Sequence, residues 1–298
     1  RTDHKNMDIK KDFKTGILTF EQWQGKKGLG SSRIRGHWTV RHWKEAGPEL
    51  GDCELFKFGQ KYDAVIFQKA YFAQFASKFQ GIKILDICDP DWLHWSYQFK
   101  ETLDFCDAVT CSSVELCKSI QKFTDKPVYF VPDRVDLEAM PKPKVHTGPT
   151  KTIVWYGYSH NFPILDSCMK AISDLKMDLI VVSDGVYAAP QAFKVDVTNL
   201  PFSEQHHLTD IQKGDVVLNP KFNKGKWRFK SDNKTYIARA LGMPVAHTEE
   251  ELKSLLTEEQ RIKESLKGLE AAKKEYDIRL SVVDYKEVIS DIIKNKHE

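Results

Sequence analysis

Short apolar runs recur along the whole chain, and helix-length amphipathic segments fill the gaps between them. The runs of the first half are Gly16–Phe20, Tyr62–Gln68, Lys83–Cys88, Ala108–Ser112 and Pro127–Pro132. Those of the second half are Thr152–Gly157, Asp178–Asp184, Lys194–Leu200, Asp215–Pro220 and Pro244–Thr248. Apolar runs without alternation suit strands buried on both faces. The segments Tyr71–Phe79, Trp92–Phe105, Ser113–Phe123, Pro163–Leu175 and Ser203–Gln212 read as helices. Strands alternating with helices imply parallel sheets covered by helices, an α/β architecture. Several runs end in Asp, Ser or Gly, where a strand edge opens into a helix N-cap.

One segment breaks the rhythm. Met140–Lys151 holds three prolines, one glycine and no apolar periodicity, and it reads as an interdomain linker. It separates residues 1–140 from residues 150–280, each with about five strands. The two halves share an architecture but no fixed-period motif, which excludes a solenoid. A length of 298 residues suits two domains, and 41% hydrophobic with 29% charged residues supplies two cores and excludes disorder as the main state. After the last strand comes a charged helical stretch, Thr257–Lys274. Then Ser281–Ile293 gathers Val282, Val283, Tyr285, Val288, Ile289, Ile292 and Ile293 on one broad face. A terminal helix with that face must dock, so residues 281–298 are assigned to the first domain.

Net charge is +3, from 45 Lys+Arg against 42 Asp+Glu, too balanced to point to nucleic acid by itself. The six cysteines form no C-x-x-C pair, and they read as reduced structural thiols. The longest apolar stretches, Thr152–Tyr156 and Leu179–Val182, fall far below the roughly 20 residues of a membrane span. The polar start Arg1–Lys14 is followed by no apolar leader. A cytoplasmic location is the expectation.

Ligands of open parallel sheets bind at the carboxyl edges of the strands, so the strand-to-helix loops carry the functional reading. The sharpest is within Lys221–Val245, where Lys221, Lys224, Lys226, Arg228, Lys230 and Lys234 face one acid, Asp232. Its core, Lys230-Ser231-Asp232-Asn233-Lys234, enters a helix that ends before Gly242-Met243-Pro244-Val245. Ser231 or Asp232 suits the N-cap. A helix N-terminus with lysines on both sides is a ready diphosphate site, the alternative being a capped surface helix with solvated charges.

Here the chain resembles the GT-B glycosyltransferases, and most of all their group 1 (family 4-like) members. The resemblance lies in Ala240-Leu241-Gly242-Met243-Pro244-Val245 after the charged loop and helix. It extends to Val131-Pro132-Asp133-Arg134-Val135-Asp136 at the end of the first half, and to the strand and loop Ile153–His160. It implies two Rossmann-like domains facing across a cleft, with a C-terminal helix crossing back to the first. It also implies transfer of a sugar from a nucleotide sugar, a UDP-sugar in first place, to an acceptor hydroxyl, with retention of configuration. By the same resemblance Gly157, Tyr158, Lys230, Ser231, Asn233 and Lys234 contact the donor, and Lys230 and Lys234 neutralise the departing diphosphate. No further cofactor and no metal are implied when lysines do that. The chain departs from the family in one respect: the paired glutamates seven residues apart are missing, and Ile237 stands at the second position.

The loop after the first strand, Gln22–Lys44, has six Lys/Arg, two His, three Trp and no acid. Gly25, Gly28 and Gly30 allow close backbone approach, and Ser31 or Ser32 suits a helix cap. The resemblance places this loop on the acceptor side, with Gly28, Gly30, Ser32, Arg33, Arg35 and His37 as contacts. The other reading is a solvated basic helix with Trp38 and Trp43 in the core. Asp86-Ile87-Cys88-Asp89-Pro90-Asp91 ends another strand. Asp89 is the candidate general base or sugar contact, Asp91 faces the acceptor, and the readings left beside these are turn chemistry and a D-x-D metal site. The basic charge points to an anionic acceptor: a phosphate-bearing glycan, a lipid-linked sugar or a nucleic acid. The rival functions are a phage-type DNA-base glycosyltransferase, a GT-B nucleotide-sugar epimerase and a two-domain solute-binding protein without catalysis.

Overall fold

The computed structural model describes residues 12–296; the polar start up to residue 11 and the last two residues lie outside it. The chain divides into two compact units. Unit 1 holds the residues up to Asp136, the short segment Phe229–Ser231, and the chain from Ile278 onward. Unit 2 holds Leu137–Arg228 and Asp232–Asp277.

Unit 1 is built on a parallel sheet of β1 (Lys14–Leu18), β2 (Asp52–Leu55), β3 (Ala64–Gln68), β4 (Ile82–Ile87), β5 (Ala108–Cys111) and β6 (Val128–Phe130), in the order β2-β1-β3-β4-β5-β6. β3 is buried at every position, which is why it reads as an unbroken apolar run. β2 was not legible in the sequence: Asp52 and Glu54 break the apolar pattern, and the strand lies at the edge of the sheet, half exposed. One face of the sheet is covered by the helix Ile278–Lys296. Its Val282, Tyr285, Val288, Ile289 and Ile292 pack with Ile17, Trp43, Ile66 and Ile84. Each such buried side chain contributes about 1.5–3 kcal/mol, so the docking expected of this helix is strongly driven. Val131-Pro132-Asp133-Arg134-Val135-Asp136 ends the unit as a set of fasteners. Val131 and Val135 are fully buried, Arg134 pairs with Asp284 at 2.5 Å, and Asp136 pairs with the buried His42 at 3.0 Å.

Unit 2 has β7 (Thr152–Tyr156), β8 (Asp178–Ser183), β9 (Val197–Pro201), β10 (Val216–Leu218) and β11 (Val245–Ala246), all parallel, in the order β11-β10-β7-β8-β9. The helices Phe162–Asp166, Met169–Asp174, His207–Ile211 and Glu258–Glu275 take up the segments expected to be helical. A further helix, Glu249–Ser254, starts at the Thr248 cap, whose hydroxyl accepts from the Glu251 amide. The proline-rich segment is fastened into this unit. Lys144 Nζ caps the carbonyls of Gln212 and Gly214, His146 meets the Gly242 carbonyl at 2.8 Å, and the buried Arg261 reaches Gly148 O at 2.5 Å. Gly242 itself has φ 72°, and a Cβ there would come within 2.9 Å of Pro143. Both facts account for glycine at that point of the Gly-x-Pro exit. Among the described residues no helix is long and apolar enough to cross a membrane.

Candidate functional site

Each sheet reverses its strand order once, and the reversal marks where a crevice opens at the carboxyl edge. In unit 2 it lies between β7 and β10. The loop after β7 holds Gly157, Tyr158, Ser159 and His160; the loop after β10 runs towards the helix Asn233–Ala240. Lys234 joins the two. Its Nζ lies 4.8 Å from the centre of the Trp155 ring, and a Cβ on Gly157 would come within 2.5 Å of it. Glycine at 157 therefore leaves the space that the ammonium uses. The Tyr156 hydroxyl donates to the Lys234 carbonyl, which fixes the first turn of the helix against the strand. Tyr158 is 43% exposed and stacks on His160 at 5.7 Å. The Ser159 amide donates to Asp184 at 2.7 Å, and Trp227 Nε1 donates to the buried Asn161 at 3.3 Å. Asp232 takes the N-cap position but makes no side-chain cap bond; its carboxylate pairs with Lys221 at 2.5 Å instead.

The basic loop divides. Asn233 and Lys234 belong to unit 2, whereas Phe229, Lys230 and Ser231 are built into unit 1. Phe229 is 5% exposed and packs edge-on against Trp92, and its carbonyl accepts from Ser113 Oγ at 2.9 Å. Ser231 Oγ donates to Asp133 at 2.6 Å. That bond ties Ser231, expected as a donor contact, to a carboxylate of unit 1. Lys230 Nζ sits 2.6 Å from Asp89 Oδ1.

In unit 1 the order reverses between β1 and β3. There Lys69, the residue after β3, has φ 51°, a left-handed conformation rare outside glycine and costly for a lysine. Its side chain is 7% exposed, with Nζ 2.6 Å from Asp89 Oδ2 and 3.5 Å from Asp91 Oδ2. Asp91 also accepts from Tyr71 Oη at 2.5 Å. Burial pushes the Asp89 carboxyl up, but Lys69 and Lys230 outweigh it and hold it well below the usual carboxylate range. Burial also dominates at Asp91 and pushes it up to about 6, with the Asp89 charge adding to the rise and Lys69 opposing it. Two carboxylates two residues apart are thus driven in opposite directions. Lys69 escaped the sequence reading because nothing in Gln68-Lys69-Ala70 signals a left-handed turn.

The acceptor-side expectations need several corrections. Arg35 is 2% exposed and held by Asp86, Asp133 and the Val131 carbonyl, so it is a core residue. Ser32 is fully buried inside a helical stretch that begins at Gly30 with Leu29 as N-cap; its hydroxyl accepts from the Glu21 amide, and Ser31 does not cap either. Asp91 is 3% exposed and cannot face an acceptor as it stands. Trp43 is fully buried, as the basic-helix reading had it, and Trp38 is half-buried beneath the Arg33 guanidinium. Gly28 is exposed with φ 76°, Gly30 and Arg33 are half-buried, and the exposed His37 pairs with Glu21 at 3.3 Å.

No protein-family model matches the sequence, and no curated protein matches it significantly. Solved structures match by shape. HepE of Anabaena, solved with UDP and glucose, superposes with a TM-score of 0.65 at 11% identity, over 94% of this chain and 100% of that one. The β-glucosyltransferase of phage T4 with its UDP-glucose substrate gives 0.59 at 11% identity, over 94% and 99%. A structure of the DNA-modifying enzyme β-glucosyltransferase gives 0.60. TarM of S. aureus gives 0.56 at 9% identity over 76% of this chain and 55% of its own, so the chain spans about half of that protein. The fold is GT-B. Its two Rossmann-like sheets are those described above, and the C-terminal helix Ile278–Lys296 belongs to unit 1.

Proposed function

We propose that this GT-B chain is a glycosyltransferase that moves a sugar from a nucleotide sugar, a UDP-sugar in first place, to an acceptor hydroxyl. The observation that carries the reading is the placement of Lys234. An ammonium lies against Gly157, at the strand-order reversal of unit 2, beside the N-terminus of the helix Asn233–Ala240. Backbone amides and a fixed cation together suit the diphosphate of a leaving nucleotide, where charge develops in the transition state. The structural neighbours solved with UDP or UDP-glucose support the donor class. The six free thiols support a cytoplasmic location.

Metal independence is part of the proposal. Asp89 and Asp91 share the Lys69 ammonium, so a cation placed against them would meet a positive charge. Retention of configuration is the reading that the group 1 resemblance favours, and NMR of the product anomer tests it. The decisive assay incubates the protein with a panel of nucleotide sugars, with and without EDTA. Release of nucleoside diphosphate that survives EDTA is expected. A new sugar nucleotide would mean an epimerase, no turnover would mean a binding protein, and loss with rescue by Mn²⁺ would overturn the metal-free reading.

For the acceptor, a second reading is favoured by the exposed Lys26 and Lys27. Exposed cations suit the phosphates of a nucleic acid, and a DNA base then becomes the acceptor in place of a phosphate-bearing glycan or lipid.

A further inference from the structure

Among the described residues, Thr19, Ser113, Thr248 and Thr257 each close the N-terminus of a helix. Their backbone is extended, with ψ of 160°, 153°, 166° and 148°, and the side-chain oxygen accepts from the amide three residues on. Asp232 takes the same position before the helix Asn233–Ala240, and aspartate is as good a cap by its chemistry, yet it closes nothing. Its ψ is 12°, and its carboxylate lies 2.5 Å from Lys221 Nζ. Thr235, three residues on and 3% exposed, is drawn the same way: its hydroxyl accepts from Asn219 Nδ2 at 3.0 Å. Asn219 is fixed in turn, its amide on the Ala246 carbonyl at 2.9 Å and its own carbonyl 2.7 Å from His247 Nδ1. Asn219 and Lys221 directly follow β10, and all of these residues lie in unit 2.

We infer that Lys221 is a positioning residue: it holds the Asp232 carboxylate off the first turn of the helix Asn233–Ala240 and so keeps that turn open to an anionic ligand. The inference rests on the donor reading above and adds no ligand contact, since neither Lys221 nor Asp232 touches the nucleotide in it. An aspartate released at this position has two effects. It accepts from the amides of the first turn, where the positive end of the helix dipole favours a carboxylate, and its charge repels a diphosphate brought to the same place. The ion pair removes both at once. Its lysine is 54% exposed and its aspartate 43%, so its own contribution to folding is small, and its effect lies in where it keeps the carboxylate.

The pattern of rescue separates a held-open cap from a ligand contact. Calorimetry with UDP should show Lys221→Ala binding about 3- to 10-fold more weakly than wild type, the effect of one closed cap converted to affinity. Lys221→Arg should bind as wild type does. Adding Asp232→Ala to Lys221→Ala should restore affinity to within about 2-fold of wild type, because alanine neither caps nor repels. The melting temperature of Lys221→Ala should hold or rise, and hydrogen exchange of the Lys234 and Thr235 amides should slow in the absence of any ligand. A loss of affinity that Asp232→Ala does not rescue would make Lys221 a ligand contact or a brace, and overturns the inference. Unchanged UDP binding by Lys221→Ala also overturns it, as does unchanged or faster exchange at the two amides. In each of those cases the donor reading stands as long as wild type binds UDP. A wild type that does not bind UDP overturns both.

Discussion

Arg35 and Asp86 meet through two parallel bonds in the interior of unit 1, Nε to Oδ2 at 2.7 Å and Nη2 to Oδ1 at 2.5 Å. The same carboxylate accepts from Thr110 at 2.6 Å and from Tyr285 at 2.9 Å, and Arg35 Nη1 reaches Asp133 at 2.6 Å. One buried network thus joins the helical stretch after β1, the strands β4 and β5, the motif that ends the unit, and the C-terminal helix. Burial of the charges is tolerable because each one is paired and hydrogen-bonded.

Removing one partner of such a pair strands the other. Arg35→Met should cost about 3–5 kcal/mol in urea unfolding. Arg33→Ala, at a half-buried position, should cost under about 1 kcal/mol. An Arg35→Met protein of wild-type stability with an altered acceptor KM would return Arg35 to the ligand side.

Lys234 carries the donor proposal, and charge-assisted hydrogen bonds contribute about 1.5–3 kcal/mol each. Lys234→Ala should lower UDP affinity about 10- to 100-fold with the melting temperature held. Gly157→Ala should do the same by another route, since its methyl group would occupy the space of the ammonium. Normal UDP binding by both variants would remove the site from unit 2.

Asp91 supplies a pH signature. Its carboxyl is pushed up to about 6 in the fold, chiefly by burial, so between pH 4 and 6 the folded state holds a proton that the unfolded state has released. Its contribution to stability is therefore greatest at acid pH, and is lost as pH rises through the folded value. Asp91→Asn is free of that loss. Relative to wild type it should gain about 2–3 kcal/mol in unfolding free energy between pH 4 and pH 7, the worth of a shift of about two units. A constant difference across that range would show that Asp91 is charged in the fold.

The periodicity of the apolar runs made the fold legible: the ten runs read from sequence each overlap a strand, and among the described residues only the polar edge strand β2 had no such signal. The basic loop Lys221–Lys234 stood out because its cations are neighbours in sequence. The buried network around Arg35 was not legible. Asp86 and Asp133 stand 51 and 98 residues from Arg35, and no spacing rule connects residues that only the fold brings together. For the same reason Gln22–Lys44 read as an acceptor-side loop, with a basic helix as the other reading. Glycines punctuate its start, and the acids that neutralise its arginines lie elsewhere in the chain.

That neutralisation sharpens the acceptor prediction. Of the six cations in Gln22–Lys44, Arg35 pairs with Asp86 and Asp133, Arg41 with Asp136, and Lys44 with Asp52. The ligand-facing charge is then Lys26 and Lys27, both exposed, with Arg33 as a third at most. Six phosphate contacts would weaken duplex binding by more than about 1,000-fold between 50 and 200 mM salt, whereas two or three give roughly 10- to 40-fold. We expect the shallower response. Lys26→Ala with Lys27→Ala should flatten the log-log slope by about 2, while Arg41→Ala leaves it unchanged. The measurement is binding of duplex DNA, or the KM of a phosphate-bearing glycan acceptor, across that salt range. If wild type and the double variant both respond flatly, the two lysines are solvated surface charges and the acceptor is a neutral sugar.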